Sequence, residues 1–263
     1  MPFTPTHILV AIPITRRWGS PGMFTALAIG SMIPDWPLYF PIGPGYQLTH
    51  SLTGIFIVCL PIGLAITLLF IATARRPLYE LASPGLQQRL AGYLDTSPHR
   101  SARGVMTMAV AICVGAATHI IWDSFTHDST RGVAMFPALN EVWITVYGVK
   151  FVGFMALQHG SSLIGLPLMF ALYVNWYRRA ECQPAPDSVL SPIARWAWIL
   201  LLVGLPLATM IRHIVYIPQL TLRPIIIALY SAVTDAGFMF VILIACFSLL
   251  FYPVAKYRQE NKI

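Results

Sequence analysis

Apolar residues along this chain come in long runs, without the period-two alternation of a half-buried strand. Six runs lie at about 23–40, 52–74, 104–126, 157–176, 195–215 and 225–252. Each is near the roughly 20 residues that a helix needs to cross a bilayer core. A shorter run at 6–15 gives only about 15 Å of helix at 1.5 Å per residue. It is expected to be re-entrant, interfacial or packed inside a bundle. Polar stretches at 75–103 and 177–194, and the tail KYRQENKI, read as surface connections. No internal repeat or low-complexity segment interrupts the pattern. The expected class is all-α: a polytopic membrane helix bundle of about six spans plus a short N-terminal half-helix, one integral domain over 1–263.

Composition supports this. Hydrophobic residues make up 57% of the chain and charged residues 10%, against roughly a quarter charged in soluble domains. Mean hydropathy is +0.68. The start, MPFTPTHILVAIPITRR, lacks a basic n-region and a small-residue cleavage site, so the first span is expected to serve as its own insertion signal. The net charge of +7 would suit nucleic acid in a soluble protein, but no nucleic-acid-binding module pattern is present. Lys and Arg gather instead at the ends of apolar runs. Thirteen of the 17 fall at the ends near 16–17, 75–103, 178–195 and 256–262, and four (Arg131, Lys150, Arg212, Arg223) at the opposite ends. The positive-inside rule then puts the C-terminus in the cytoplasm and the loops at 41–51, 128–156 and 212–224 outside. Cys59, Cys113, Cys182 and Cys246 are scattered with no CxxC, which reads as small buried hydrophobes and excludes a disulfide framework.

The chemistry is concentrated in few places. T-H-I-I-W-D-S-F-T-H, residues 118–127, carries His119, Asp123 and His127 at steps of four. On a helix these share one face. Three ionisable groups in one membrane segment favour function over hydrogen bonding between helices, and imidazole with carboxylate is a common metal-ligand set. Asp35 in G-S-M-I-P-D-W-P, His50 in T-H-S and His159 in L-Q-H-G-S-S-L come to the same membrane face by a charge count that does not use them. Taken singly, each also reads as a cap or interfacial group. Thr4 with Pro5 reads as a helix N-cap and first turn. His7 joins the cluster if the 6–15 segment dips in from the outside. His99 reads as a solvated loop histidine, and His213 sits beside Arg212. Asp235, near the middle of the last span, is either a functional carboxylate or one that pairs with Thr234 or another span. Arg212 and Arg223 either bind an anionic headgroup or snorkel to the interface.

The stretches M-P-F-T-P-T-H, G-S-M-I-P-D, T-H-S-L-T-G, T-H-I-I-W-D-S-F-T-H and L-Q-H-G-S-S-L-I-G-L resemble an uncharacterised bacterial membrane family of unknown function, chiefly over residues 1–175. More distantly they are similar to the LexA-regulated membrane-bound metal-dependent hydrolases, and through them to zinc-dependent phospholipase C, in the order His, Asp, His, H-x-x-x-D. The resemblance implies His7, Asp35, His50, His119 and Asp123 as metal ligands, with His127 and His159 completing a site or acting as acid–base groups. The soluble phospholipases also use an N-terminal Trp and a later His/His/Glu set. This chain has neither, so one or two ions are expected and three are not. Residues 1–175 are then a metal-site core, and 195–252 add two further spans. The expected function is a metal-dependent hydrolase, with Zn²⁺, acting on a phosphoester in a membrane lipid or lipid-like substrate at the outer face of the bacterial inner membrane. Asp35 or a free carboxylate is expected to act as base, and His127 or His159 to hold the leaving group or donate a proton. The alternatives are a metal-ion or proton transporter and a structural, metal-stapled bundle. A transporter needs groups along a path to both faces, and the ligands here sit at one level.

Overall fold

The computed structural model describes the chain apart from residues 1–2, 20–21, 41–42, 95, 97–99, 147, 218–221 and 262–263. His99 and the side chain of Arg223 lie outside the described residues. The main helices are α1 (Ala11–Trp18), α2 (Met23–Gly30), α3 (Leu52–Leu81), α4 (Pro84–Leu94), α5 (Ala102–Thr126), α6 (Gly153–Arg179), α7 (Pro192–Val215) and α8 (Leu222–Asn261). A two-stranded antiparallel hairpin, β1 (Val142–Val146) with β2 (Val149–Val152), precedes α6. Among the described residues α3, α5, α6, α7 and most of α8 are long and apolar enough to cross a membrane. The all-α membrane class holds.

The run at 23–40 is not one helix. It breaks into α2, a 3₁₀ turn at Ile33–Asp35 and a short helical turn at Trp36–Tyr39. Pro34 and Pro37 account for the break, because each removes a donor and crowds the preceding turn. The run at 6–15 belongs to a 3₁₀ segment, Thr4–Val10, that continues into α1. Thr4 is not its cap. The N-cap is Phe3, without a side-chain bond, and Thr4 turns inward to another partner.

Two compact units divide the chain. The first joins the N-terminal segments, the start of α3, α5 and α6. Its α2 and α5 approach through glycines: a Cβ on Gly30 would lie 2.5 Å from the Ile112 carbonyl oxygen, and one on Gly115 would lie 2.5 Å from that of Leu27. Small residues at such crossings let backbones touch. Ile33, Ile55, Cys59 and Ala116 form the apolar core beside this contact.

The second unit contains the end of α3, α4, α7 and α8. The 75–103 stretch is largely helical, because α3 runs on to Leu81 and α4 follows. Buried Glu80 explains the order: its carboxylate accepts from Arg76 (2.7 Å), the Ser188 hydroxyl (2.7 Å) and the Val189 amide (3.0 Å), tying this helix end to the extended 181–190 segment. Asp235 on α8 is paired with His213 on α7 at 2.8 Å, while Thr234 bonds to carbonyls of its own helix. All four cysteines are free, but only Cys59 is buried; Cys182 and Cys246 are exposed.

Candidate metal centre

Four segments meet inside the first unit. His119 and Asp123 lie one turn apart on α5, with His119 Nε2 3.3 Å from Asp123 Oδ2. The break after α2 aims Asp35 at the same point: its Oδ1 is 3.5 Å from His119 Nε2 and 3.5 Å from His50 Nε2. His50 follows a helical turn at Tyr46–Thr49 and is also 3.7 Å from Asp123 Oδ2. One ligand atom from each of Asp35, His50, His119 and Asp123 lies within 4.8 Å of all the others. His7 reaches the far side of Asp123, Nε2 to Oδ1 3.6 Å, and its ring stacks on His119 with centroids 3.9 Å apart.

These separations identify the kind of contact. Hydrogen-bonded N and O atoms sit about 2.9 Å apart. Donors held about 2.0–2.1 Å from a tetrahedral zinc sit about 3.4 Å from one another. The cluster shows the second spacing. Consistent with that, His7 Nε2, His50 Nε2, His119 Nε2, Asp35 Oδ1 and both Asp123 carboxylate oxygens are buried without a hydrogen-bond partner among the described residues. Such atoms are costly in a protein interior. Four residues whose ligand atoms gather within 4.8 Å of one another, with His7 on the far side of Asp123, have the chemistry of a cation site and fit a divalent ion.

The atoms of His119, His50 and Asp35 that face away from that site are engaged. His119 Nδ1 donates to the Ser31 carbonyl (2.8 Å) and His50 Nδ1 to that of Tyr46 (3.1 Å). Each bond fixes the tautomer that leaves the Nε2 lone pair free to ligate. The Thr4 hydroxyl donates to Asp35 Oδ2 at 2.6 Å, leaving Oδ1 for the cluster. Burial, followed by the neighbouring His119 imidazole, lowers the His7 pKa from 6.5 to about 4, keeping it in the neutral, ligating form. Burial also opposes charge on His50, but the nearby Asp123 and Asp35 carboxylates outweigh it and raise its pKa. The two buried carboxylates thus draw positive charge.

The expected helical triad is only a pair. His127 is the C-cap of α5, in extended backbone geometry, and has left the helix. Its Nδ1 donates to the Asp123 carbonyl at 3.1 Å, and its Nε2 meets the Gln158 amide at 3.5 Å. Burial lowers the pKa of His127. It is not one of the converging four, but its Nδ1 lies 3.6 Å from Asp123 Oδ2. His159 is exposed, edge-on to Phe151 with centroids 6.2 Å apart. Asp35, the expected base, is almost wholly buried, with one oxygen in the cluster and one on Thr4.

Sequence reasoning missed three supporting groups. Thr4 matched a helix cap, the Ser31 carbonyl carries no residue-type signal, and the Tyr46 ring stacks on His50 at 3.7 Å. Losing an outer-shell partner typically weakens metal affinity about 10–100-fold. Thr4→Val is expected to do so while the protein stays folded, as measured by competition with a chromophoric chelator.

The fold and site define a helical membrane protein with a candidate buried metal centre. Residues 1–254 match the model for a domain of unknown function, DUF4184, and the chain belongs to that family. No functionally curated protein and no solved structure matches it.

Proposed function

We propose that this protein is a membrane-embedded metal-dependent hydrolase, acting on a phosphoester in a membrane lipid or lipid-like substrate. The observation that carries the reading is the convergence of buried, partnerless His and Asp atoms at ligand spacing. Asp35, His50, His119 and Asp123 hold one divalent ion, for which Zn²⁺ suits the donor set. Asp123 Oδ1 with His7 extends toward a second. A divalent ion supplies Lewis-acid chemistry, acidifying a water molecule and withdrawing charge from a phosphoryl oxygen. Thr4, Ser31 and Tyr46 keep the ligands in position. His127, neutral and steered by the Asp123 carbonyl and Gln158, is placed to move a proton at Nε2. The distant likeness to metal-dependent hydrolases in the order His, Asp, His, H-x-x-x-D agrees with this ligand set.

Transport is the weaker reading. The intramembrane carboxylate that favours it, Asp235, is engaged by His213. Purified protein should release phosphate or headgroup from phospholipid micelles, lose the activity to chelation and regain it with Zn²⁺. A chelator-insensitive activity, or none in the metal-loaded protein on any phosphoester tested, would remove the proposal.

The distribution of Lys and Arg supports a site at the outer face of the bacterial inner membrane. A thiol introduced by Gly45→Cys, in a chain without its native cysteines, is expected to react with an impermeant reagent added outside intact cells. One from Gln88→Cys should react only after permeabilisation. The reverse pattern would put the site in the cytoplasm.

A further inference from the structure

The segment between α5 and α6 has a composition that water does not explain. All five β1 residues are exposed, with Val142, Trp143, Ile144 and Val146 between 45% and 53%. Just before them, Met135 is 73% and Phe136 52% exposed. Side chains on a strand alternate between faces, so β1 shows apolar groups on both. A two-stranded hairpin is at best marginally stable in water alone, and an exposed apolar strand invites aggregation. Lys150 is the single charged residue of the two strands.

The hairpin is nevertheless held firmly. The Gly153 amide donates to the Glu141 carbonyl at 2.9 Å, closing its base. Trp143 Nε1 donates to the Ala138 carbonyl at 2.8 Å, and its ring covers Gly153, where an added Cβ would lie 2.7 Å from it. The hairpin therefore runs directly into the first turn of α6, a spanning-length helix. Its apolar surface continues that of the spans. It also lies at the end of α6 nearest the metal centre, because Gln158, just inside α6, reaches His127 beside Asp123. Trp, aliphatic residues and a lone Lys next to a span end match the environment at a membrane–water interface.

We propose that the β1–β2 hairpin is an interfacial anchor. It inserts into the headgroup–acyl boundary of the leaflet on the side of the metal centre, with Trp143, Ile144 and Val146 in the lipid and Lys150 toward the headgroups. The occupant of this surface is the bilayer itself. The inference rests on the membrane-spanning fold and is independent of any hydrolase activity.

Site-directed spin labelling tests it. Nitroxides at Ile144→Cys and, separately, Val146→Cys would be placed in the full chain without its native cysteines and reconstituted into nanodiscs of phosphatidylcholine and phosphatidylglycerol. Asp128→Cys, on an exposed residue just past α5, serves as the reference. At 144 and 146, collision with oxygen is expected to exceed collision with a water-soluble nickel chelate, with the order reversed at 128. Nickel exceeding oxygen at 144 and 146 would place the hairpin in water. Low access to both reagents would show it covered by protein, such as a second copy of the chain. Either result overturns the anchor, and neither bears on metal content or hydrolysis.

Discussion

Asp123→Asn is expected to abolish hydrolysis and release the metal while the protein remains folded. Asparagine keeps the size of the side chain and part of its hydrogen bonding, but it loses the charge and basicity that make a carboxylate a ligand. Asp123 is the most connected group in the cluster: Oδ2 faces His50, His119 and His127, and Oδ1 faces His7. The loss of affinity should exceed the about 10–100-fold typical of outer-shell changes. His119→Ala should cost about as much alone and add little on top, since groups that act as one unit are not additive. The checks are phosphate release, metal affinity and elution as a single species in detergent. A fully active Asp123→Asn protein with its metal retained would take the hydrolase reading away.

The candidate ligand set was legible because its residues are conspicuous where they occur. In so apolar a chain, a carboxylate or imidazole within or beside a span has to be satisfied. Asp35, His50, His119 and Asp123 stood out for that reason, and the structure brings their ligand atoms together. The i, i+4 arithmetic placed His119 and Asp123 one turn apart and His127 beside Asp123, Nδ1 to Oδ2 3.6 Å, but not that His127 caps the helix, because periodicity does not announce where a helix ends. A helix ending at Thr126 is set by the cap geometry of His127 and by Thr130, whose hydroxyl donates to the His127 carbonyl at 2.7 Å. At 23–40 hydropathy reads as one span, yet Pro34 and Pro37, which limit regular helix at its outer end, mark where the structure breaks it. In the 75–103 stretch the helices were hidden because order there depends on Glu80 meeting residues 188 and 189, far away in sequence. The β1–β2 hairpin was read only as outer loop. Its apolar residues were too few to count as a span.

Gly115→Val is the second large effect expected. Gly115 has no Cβ, and α2 occupies the space one would need: a Cβ there would sit 2.5 Å from the Leu27 carbonyl oxygen and 2.6 Å from the Ser31 amide nitrogen. These are backbone atoms of a helix, so the relief must come from moving α2 away from α5. That motion pulls the Ser31 carbonyl from His119 Nδ1 and carries Asp35 out of reach of His119 Nε2. Overpacking of this kind costs about 1–3 kcal/mol or more. The variant should melt at lower temperature in detergent and bind metal weakly, although no ligand has been changed. Gly160→Val is the control, since open space surrounds a Cβ there; it should leave metal binding at the wild-type level. Retention of wild-type affinity by Gly115→Val would mean that the α2–α5 contact does not position the ligands.

The central claim is that Asp35, His50, His119 and Asp123 together hold a metal ion. The most direct measurement is elemental analysis of protein purified without chelator and without a histidine tag, compared with the His119→Ala/Asp123→Asn double variant prepared in parallel. The account predicts at least one equivalent of a divalent transition metal per wild-type chain and background levels in the double variant. Equal metal content in the two proteins, or none in a wild-type protein that binds no added Zn²⁺, would contradict it.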